Sequence, residues 1–128
     1  MTTQVTDELV IQKNEVDGVN VFVVSGDLII TSAKGLQKEV EKSILEGKNK
    51  IVFDFISIDY IDAFGIGVVV KTQSEVEKRK GKFAIILNQT LFELFEKCHL
   101  DDYLQVFIRG DEDKTDKVRR EALEWARS

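Results

Sequence analysis

The sequence predicts a single α/β domain: a mixed, mostly parallel sheet of about five strands, opened by an N-terminal hairpin, with about four helices. Three observations carry this. Short Val- and Ile-rich runs alternate with stretches of helical period, and strands separated by helices pair in parallel through right-handed crossovers. The first two runs are joined instead by "NEVDG", which supplies hairpin-turn chemistry. The chain has 128 residues and no proline, so one domain is expected, helices can run unbroken, and turns must come from Gly, Asn and Asp.

The elements follow in order. Residues 8–26, "ELVIQKNEVDGVNVFVVSG", read as two strands around the turn. "TSAKGLQKEVEKSILEG" reads as a helix, with Thr31 or Ser32 as its cap, Ala33, Leu36, Val40 and Ile44 on one face, and Gly47 at the exit. "KIVFDF", residues 50–55, is a nearly all-apolar strand of the kind buried on both faces. A helix follows, with Ile66, Val69, Val70, Gln73 and Val76 facing one way and Gly81 at its end. "FAIIL", residues 83–87, is a further buried strand. In "QTLFELFEKCHL", Thr90 and Glu93 have capping-box spacing, and Leu91, Leu94, Phe95 and Cys98 form the expected buried stripe. "YLQVFI", residues 103–108, is the last expected strand. The polar run 110–117 is a loop, and a charged helix over about 114–127 carries Val118, Ala122 and Trp125 on one side. One domain is expected over 1–128, with its core at about 5–108.

Composition narrows the function classes. Hydrophobic residues at 43% and charged residues at 32% give a globular chain with enough apolar material for one core. A net charge of −5 argues against nucleic acid as a partner, since phosphates need a positive face. No apolar run approaches the ~20 residues of a membrane span, so no direct membrane insertion is expected. "MTTQVTDELV" has no basic-then-apolar pattern of a secretory signal, and the one cysteine, Cys98, has no internal disulfide partner. A cytoplasmic protein is the expectation.

The chain is poor in groups that do chemistry. "CHLDD" brings Cys98 and the only histidine, His99, near acids, but helix neighbours do not face each other and metal sites draw more His or Cys. "GIG" at 65–67 follows a strand, yet neither the Lys-Ser/Thr of a phosphate loop nor the third glycine of a dinucleotide motif is present. Close packing of the helix start explains it as well. Asp27, Asp54, Asp59 and Asp62 could suggest carboxylate or Mg²⁺ chemistry. Asp62 is better explained as a helix N-cap, and Asp54, inside an apolar strand, calls for a partner. No enzyme activity, cofactor or metal is expected. The notable aromatics are Phe92, off its helix's apolar stripe, and Phe64, at a helix start, where an exposed ring would anchor a partner.

The order of elements, with "VVSGDLIITSAKGL" after the second strand and "IDAFGIG" after the third, resembles the STAS domain, known in bacterial anti-sigma factor antagonists and as a tail on anion transporters. The specific places are Gly26-Asp27-Leu28, followed by a helix with Ala33 and Leu36, and the turn at Asp62, Gly65, Ile66 and Gly67. "FELFEKCHLDDYLQVF" is similar to the family's third helix and last strand. The resemblance covers roughly residues 5–108. It implies a protein that binds an anti-sigma factor, often a serine kinase, and is released when a Ser or Thr directly after the turn's Asp is phosphorylated. A phosphate there suits the helix dipole locally but puts roughly −2 charge into a docking surface.

Two departures bear on that switch. The residue after Asp62 is Ala63, with no hydroxyl, and the next is Phe64. After Gly26-Asp27-Leu28, where the family commonly has an Asp, stand Ile29 and Ile30. Partner binding is therefore expected at Ile29, Ile30, Asp62, Ala63, Phe64, Gly65 and Ile66, with Ala63 at the phosphosite position and not phosphorylatable. Three functions follow in order of expectation: an anti-sigma factor antagonist held in its binding-competent form; a STAS interaction module of a sensory scaffold or transporter complex; and a binder of a small apolar ligand. A phosphosite elsewhere would fall on Ser57, Thr31 or Ser32, for which turn and cap roles are the simpler explanation. The same apolar patch can close a homodimer as readily as a hetero-complex.

Overall fold

The Asp-Gly pair marked as a turn takes φ of 52° at Asp17 and 81° at Gly18, the two positive values that a type I′ hairpin turn needs. It joins β2 (Leu9–Val16) to β3 (Val19–Leu28), antiparallel, with Val16 opposite Val19. The computed structural model describes residues 2–5 and 8–128. After the hairpin come α1 (Ile30–Leu45), β4 (Lys50–Ile61), α2 (Ala63–Lys78), β5 (Lys82–Asn88), α3 (Gln89–Lys97), β6 (Gln105–Arg109) and α4 (Thr115–Arg127). A short strand not expected from the sequence, β1 (Thr2–Val5), pairs antiparallel with β2 at the edge. The sheet thus has six strands in chain order, with β3 to β6 parallel.

Each parallel step moves to the next neighbour in the same direction, so right-handed crossovers bring α1, α2 and α3 to one face. That face holds the larger core, where Phe22, Phe53, Phe55 and Phe83 meet Leu36, Val40, Val69 and Phe95. The Phe53 ring stacks on Phe55 at 5.2 Å and meets Phe83 edge-on at 4.9 Å, the geometries aromatic quadrupoles favour. Alternate strand residues point the other way. Val19, Val52, Ala84 and Ile86 are covered there by Val118, Ala122 and Ala126 of α4. Helices on both sides explain why β4 and β5 begin as unbroken apolar runs.

Four local expectations are corrected. The buried residues of α2 are Gly65, Val68, Val69, Thr72 and Val76, while Ile66, Val70 and Gln73 are half-buried. The missing side chain of Gly65 lets the helix start lie against the strand ends, and the Thr72 hydroxyl is satisfied within the helix by the Val68 carbonyl. Cys98 is exposed, because α3 ends at Lys97 and His99 turns the chain away with φ of 57°. Trp125 is half-buried beside Phe107 and under the Lys82 ammonium at 4.9 Å, and Ala126 takes the buried place. β6 begins at Gln105, because the Tyr103 and Leu104 amides are turned back to the Leu100 carbonyl.

The strand β4 outruns β5 and bends. Between its pairings with Val23 and Ser25, and again between Gly26 and Asp27, it carries one extra residue relative to β3, the signature of bulges. Asn88 fastens this bend, donating to the carbonyls of Ile56 (3.0 Å) and Ile58 (3.1 Å). Its side-chain oxygen accepts from Leu91 N at 2.9 Å. Asn88, not Thr90, is therefore the cap of α3. Asp54, 1% exposed, finds its partner in Arg119 of α4 and accepts from Ile56 N as well.

Candidate functional site

The strands β3 and β4 finish level with each other, Leu28 beside Ile61, and each is followed within two residues by a helix. The N-termini of α1 and α2 therefore emerge side by side. Asp62 sits between them. Its Oδ1 accepts from Phe64 N (2.9 Å) and Gly65 N (3.0 Å), capping α2, and its Oδ2 accepts from Ile30 N at 2.9 Å, at the start of α1. One carboxylate thus satisfies three of the free N–H groups that helix starts leave over, and ties two helices at a fixed spacing. The N-cap reading of Asp62 holds and is extended by the second helix.

The α1 start is organised differently from its expected form. Its N-cap is Ile29, which has no acceptor. Ser32, one turn in, accepts from Ile29 N at 3.0 Å and donates to the Asp27 carbonyl at 2.7 Å. This is half of a capping box. Thr31 is exposed, and its hydroxyl donates to the Glu8 carboxylate at 2.6 Å. Gly26, with φ of 102°, lies against the Glu8 carbonyl so closely that a Cβ would come within 2.1 Å of it.

The two glycines of "GIG" play different parts. A Cβ on Gly65 would stand 2.5 Å from the Leu28 carbonyl and 2.6 Å from Ile61 Cγ1, so Gly65 is where α2 presses on the strand ends. Gly67 meets nothing. Close packing explains the first glycine only.

On this frame three of the expected docking residues are exposed: Ala63, Ile30 and Phe64, the last two each 57% exposed. Ile29, Asp62 and Ile66 are half-buried and Gly65 is buried. Tyr60, 60% exposed, stands just before on β4, a residue that the sequence reading passed over. Phe92 lies elsewhere, half-buried against the main core. Ile30, Ala33, Phe64 and Val68 shape a groove of about 390 Å³ between the two helices, with Lys34 and Lys38 along one side. Glu41 closes it, bound to Lys71 across the seam at 3.3 Å. The Glu41 carboxyl is held below its ordinary range first by the hydrogen bond from Gln37, then by Lys71.

The acids singled out for catalysis do not converge. Asp54 faces α4, Asp62 spends its oxygens on backbone N–H groups, and Asp59 is exposed. Among the described residues no group of three His, Cys, Asp or Glu side chains is placed to hold a metal. No helix among them is long and apolar enough to cross a membrane. Of the alternative hydroxyls, Ser32 is buried, while Ser57 is exposed on β4.

An anti-sigma factor antagonist from Mycobacterium paratuberculosis matches this structure with a TM-score of 0.80 at 18% identity, over 97% of this chain and 98% of that one. The Bacillus cell fate determinant SpoIIAA in its phosphorylated form matches at 0.66 and 18%, over 87% and 98%. A sulfate transporter family protein from Wolinella succinogenes matches at 0.61 and 18%, over 91% and 93%. At such identities the likeness is one of fold. A search of curated proteins finds no match. The STAS domain family model matches residues 10–113, from β2 through the loop before α4, and the chain belongs to the STAS domain family.

Proposed function

We propose that this protein is an anti-sigma factor antagonist-like regulator that binds an anti-sigma factor or related regulatory protein through the paired helix N-termini. The observation that carries the reading is the pair Ile30 and Phe64, two large apolar side chains each 57% exposed on either side of Asp62. Exposed apolar patches mark interaction sites, and a rigidly held aromatic such as Phe64 is the kind of side chain that anchors them. Ala63, exposed beside them, has no hydroxyl to phosphorylate. The surface is then not switched at that position.

Phe64→Asp tests the reading. An acid in the first turn of α2 suits the helix dipole and the site is exposed, so the fold is expected to change by less than about 0.5 kcal/mol. Loss of a central aromatic anchor is expected to cost binding about 2 kcal/mol or more. Partners retained by the wild-type chain in a pull-down from its native cells, and lost by the folded variant, are the expected result. Equal retention by both would take Phe64 out of the interface. The missing hydroxyl also supports a second reading, a STAS interaction module of a sensory scaffold or transporter complex, and the retained proteins would tell the two apart.

A further inference from the structure

The groove beside Phe64 carries an unbalanced charge. Its floor is apolar, from Ile30, Ala33, Phe64 and Val68. Lys34 and Lys38 run along its α1 side one turn apart, and among the described residues neither has an ion-pair partner. The carboxylate at its end, Glu41, is already bound to Lys71 and Gln37. The helix starts add the positive ends of two dipoles, answered by Asp62 through its hydrogen bonds and by the Glu8 carboxylate on Thr31. A chain of net charge −5 thus holds a locally positive, apolar-floored channel.

From Ile30 to Glu41 the channel follows twelve residues of α1, a rise of about 16 Å. That is the length of about three helical turns. We propose that the channel receives an amphipathic helix of the regulatory partner, its apolar face on Phe64, Ile30 and Val68 and its acidic flank toward Lys34 and Lys38. This rests on the docking reading above and adds to it the chemistry of the partner: a short helix with apolar residues at i, i+3, i+4 and i+7 and Asp or Glu beside them. Phe64 supplies the anchor, and the two lysines select among partners by charge.

The test uses the full chain and two helical peptides with the same leucine face, one flanked by glutamates and one by lysines, with binding followed by fluorescence anisotropy at low and moderate salt. The expected result is at least a tenfold preference for the glutamate-flanked peptide at low salt, shrinking as salt is raised. The preference reverses in the Lys34→Glu, Lys38→Glu double variant, and Phe64→Asp binds neither peptide. Circular dichroism on each variant keeps folding separate from binding. Equal binding of both peptides to the wild type overturns the charge selection while leaving the Phe64 docking reading standing. No binding of either peptide, with oleate bound in their place and displaced by Phe64→Asp, overturns the helix in favour of a small anionic amphiphile. Phe64→Asp binding both peptides like the wild type, and retaining the same proteins in the pull-down, overturns the docking reading itself.

Discussion

Asp62 is the residue on which the geometry of the site turns, because both of its oxygens are committed to helix starts. Asp62→Ala frees three N–H groups, and the loss of an N-cap alone typically costs about 1 kcal/mol. Urea denaturation is expected to show a loss of that size or more, and a smaller one would mean that water caps α2 adequately. The neighbouring glycines give an opposed pair. Gly65→Ala forces a Cβ against the Leu28 carbonyl and Ile61, an overpacking worth about 1–3 kcal/mol. Gly67→Ala adds a methyl in open space on a helix and is expected to stabilise by roughly 0.5–1 kcal/mol. The two substitutions moving the midpoint the same way would contradict the assigned roles. Asp62 was legible as a cap because capping is local, a side chain reaching two or three residues on. Its bond to Ile30 was not, since the two are 32 residues apart and meet only because β3 and β4 end together.

At the scale of elements, α4 is held by matched ends as well as by its apolar side. Arg119 answers the buried Asp54, Lys50 donates to the Arg127 carbonyl at 3.1 Å, and Lys82 donates to the Trp125 carbonyl at 3.1 Å. Lysines at a helix C-terminus meet its free carbonyls and its negative dipole end. Arg119→Met leaves the Asp54 carboxylate buried without its cation. A loss on the order of 2–4 kcal/mol is expected in thermal or urea unfolding, at the lower end because Arg119 is partly solvated. Asp54→Asn combined with Arg119→Met is expected to recover part of it. A double variant no better than the single one would mean that the cost lies in packing of the Arg119 stem. Helix and strand periods made the elements legible at this scale: the hairpin turn, the α1 face and the strands of 50–55 and 83–87 all lie where the pattern places them. The extension of β4 to Ile61 was hidden, because bulges break the period and Asn88 reaches them from 30 residues or more away. So was the burial of α2, whose contact face is set by two neighbours and carries Gly65 and Thr72 among Val68, Val69 and Val76.

For the whole molecule, the sheet needs cover on both faces, and α4 lies just beyond the matched family span of 10–113. Val19, Val52, Ala84 and Ile86 are at most 1% exposed beneath and around it. A chain ended after Asp113 is expected to lose its cooperative thermal transition and most of its soluble yield, since buried aliphatic side chains contribute about 1.5–3 kcal/mol each. A truncated chain with an unchanged transition would show that α4 is an accessory. Other large exposed apolar residues lie away from the paired helix starts: Leu45, 80% exposed, at the far end of α1, Val16, 39% exposed, at the hairpin turn, and Tyr103 and Ile108 near β6. The paired helix starts are thus one of several exposed apolar places, and the proposed docking puts the partner on them. Amide chemical-shift mapping of the isotope-labelled chain with a protein it retains tests this most directly. Ile30, Ala63, Phe64 and their helix-start neighbours are expected to shift, with Val16 and Leu45 unmoved; shifts centred on Val16 and Leu45, with the helix starts silent, would contradict the docking.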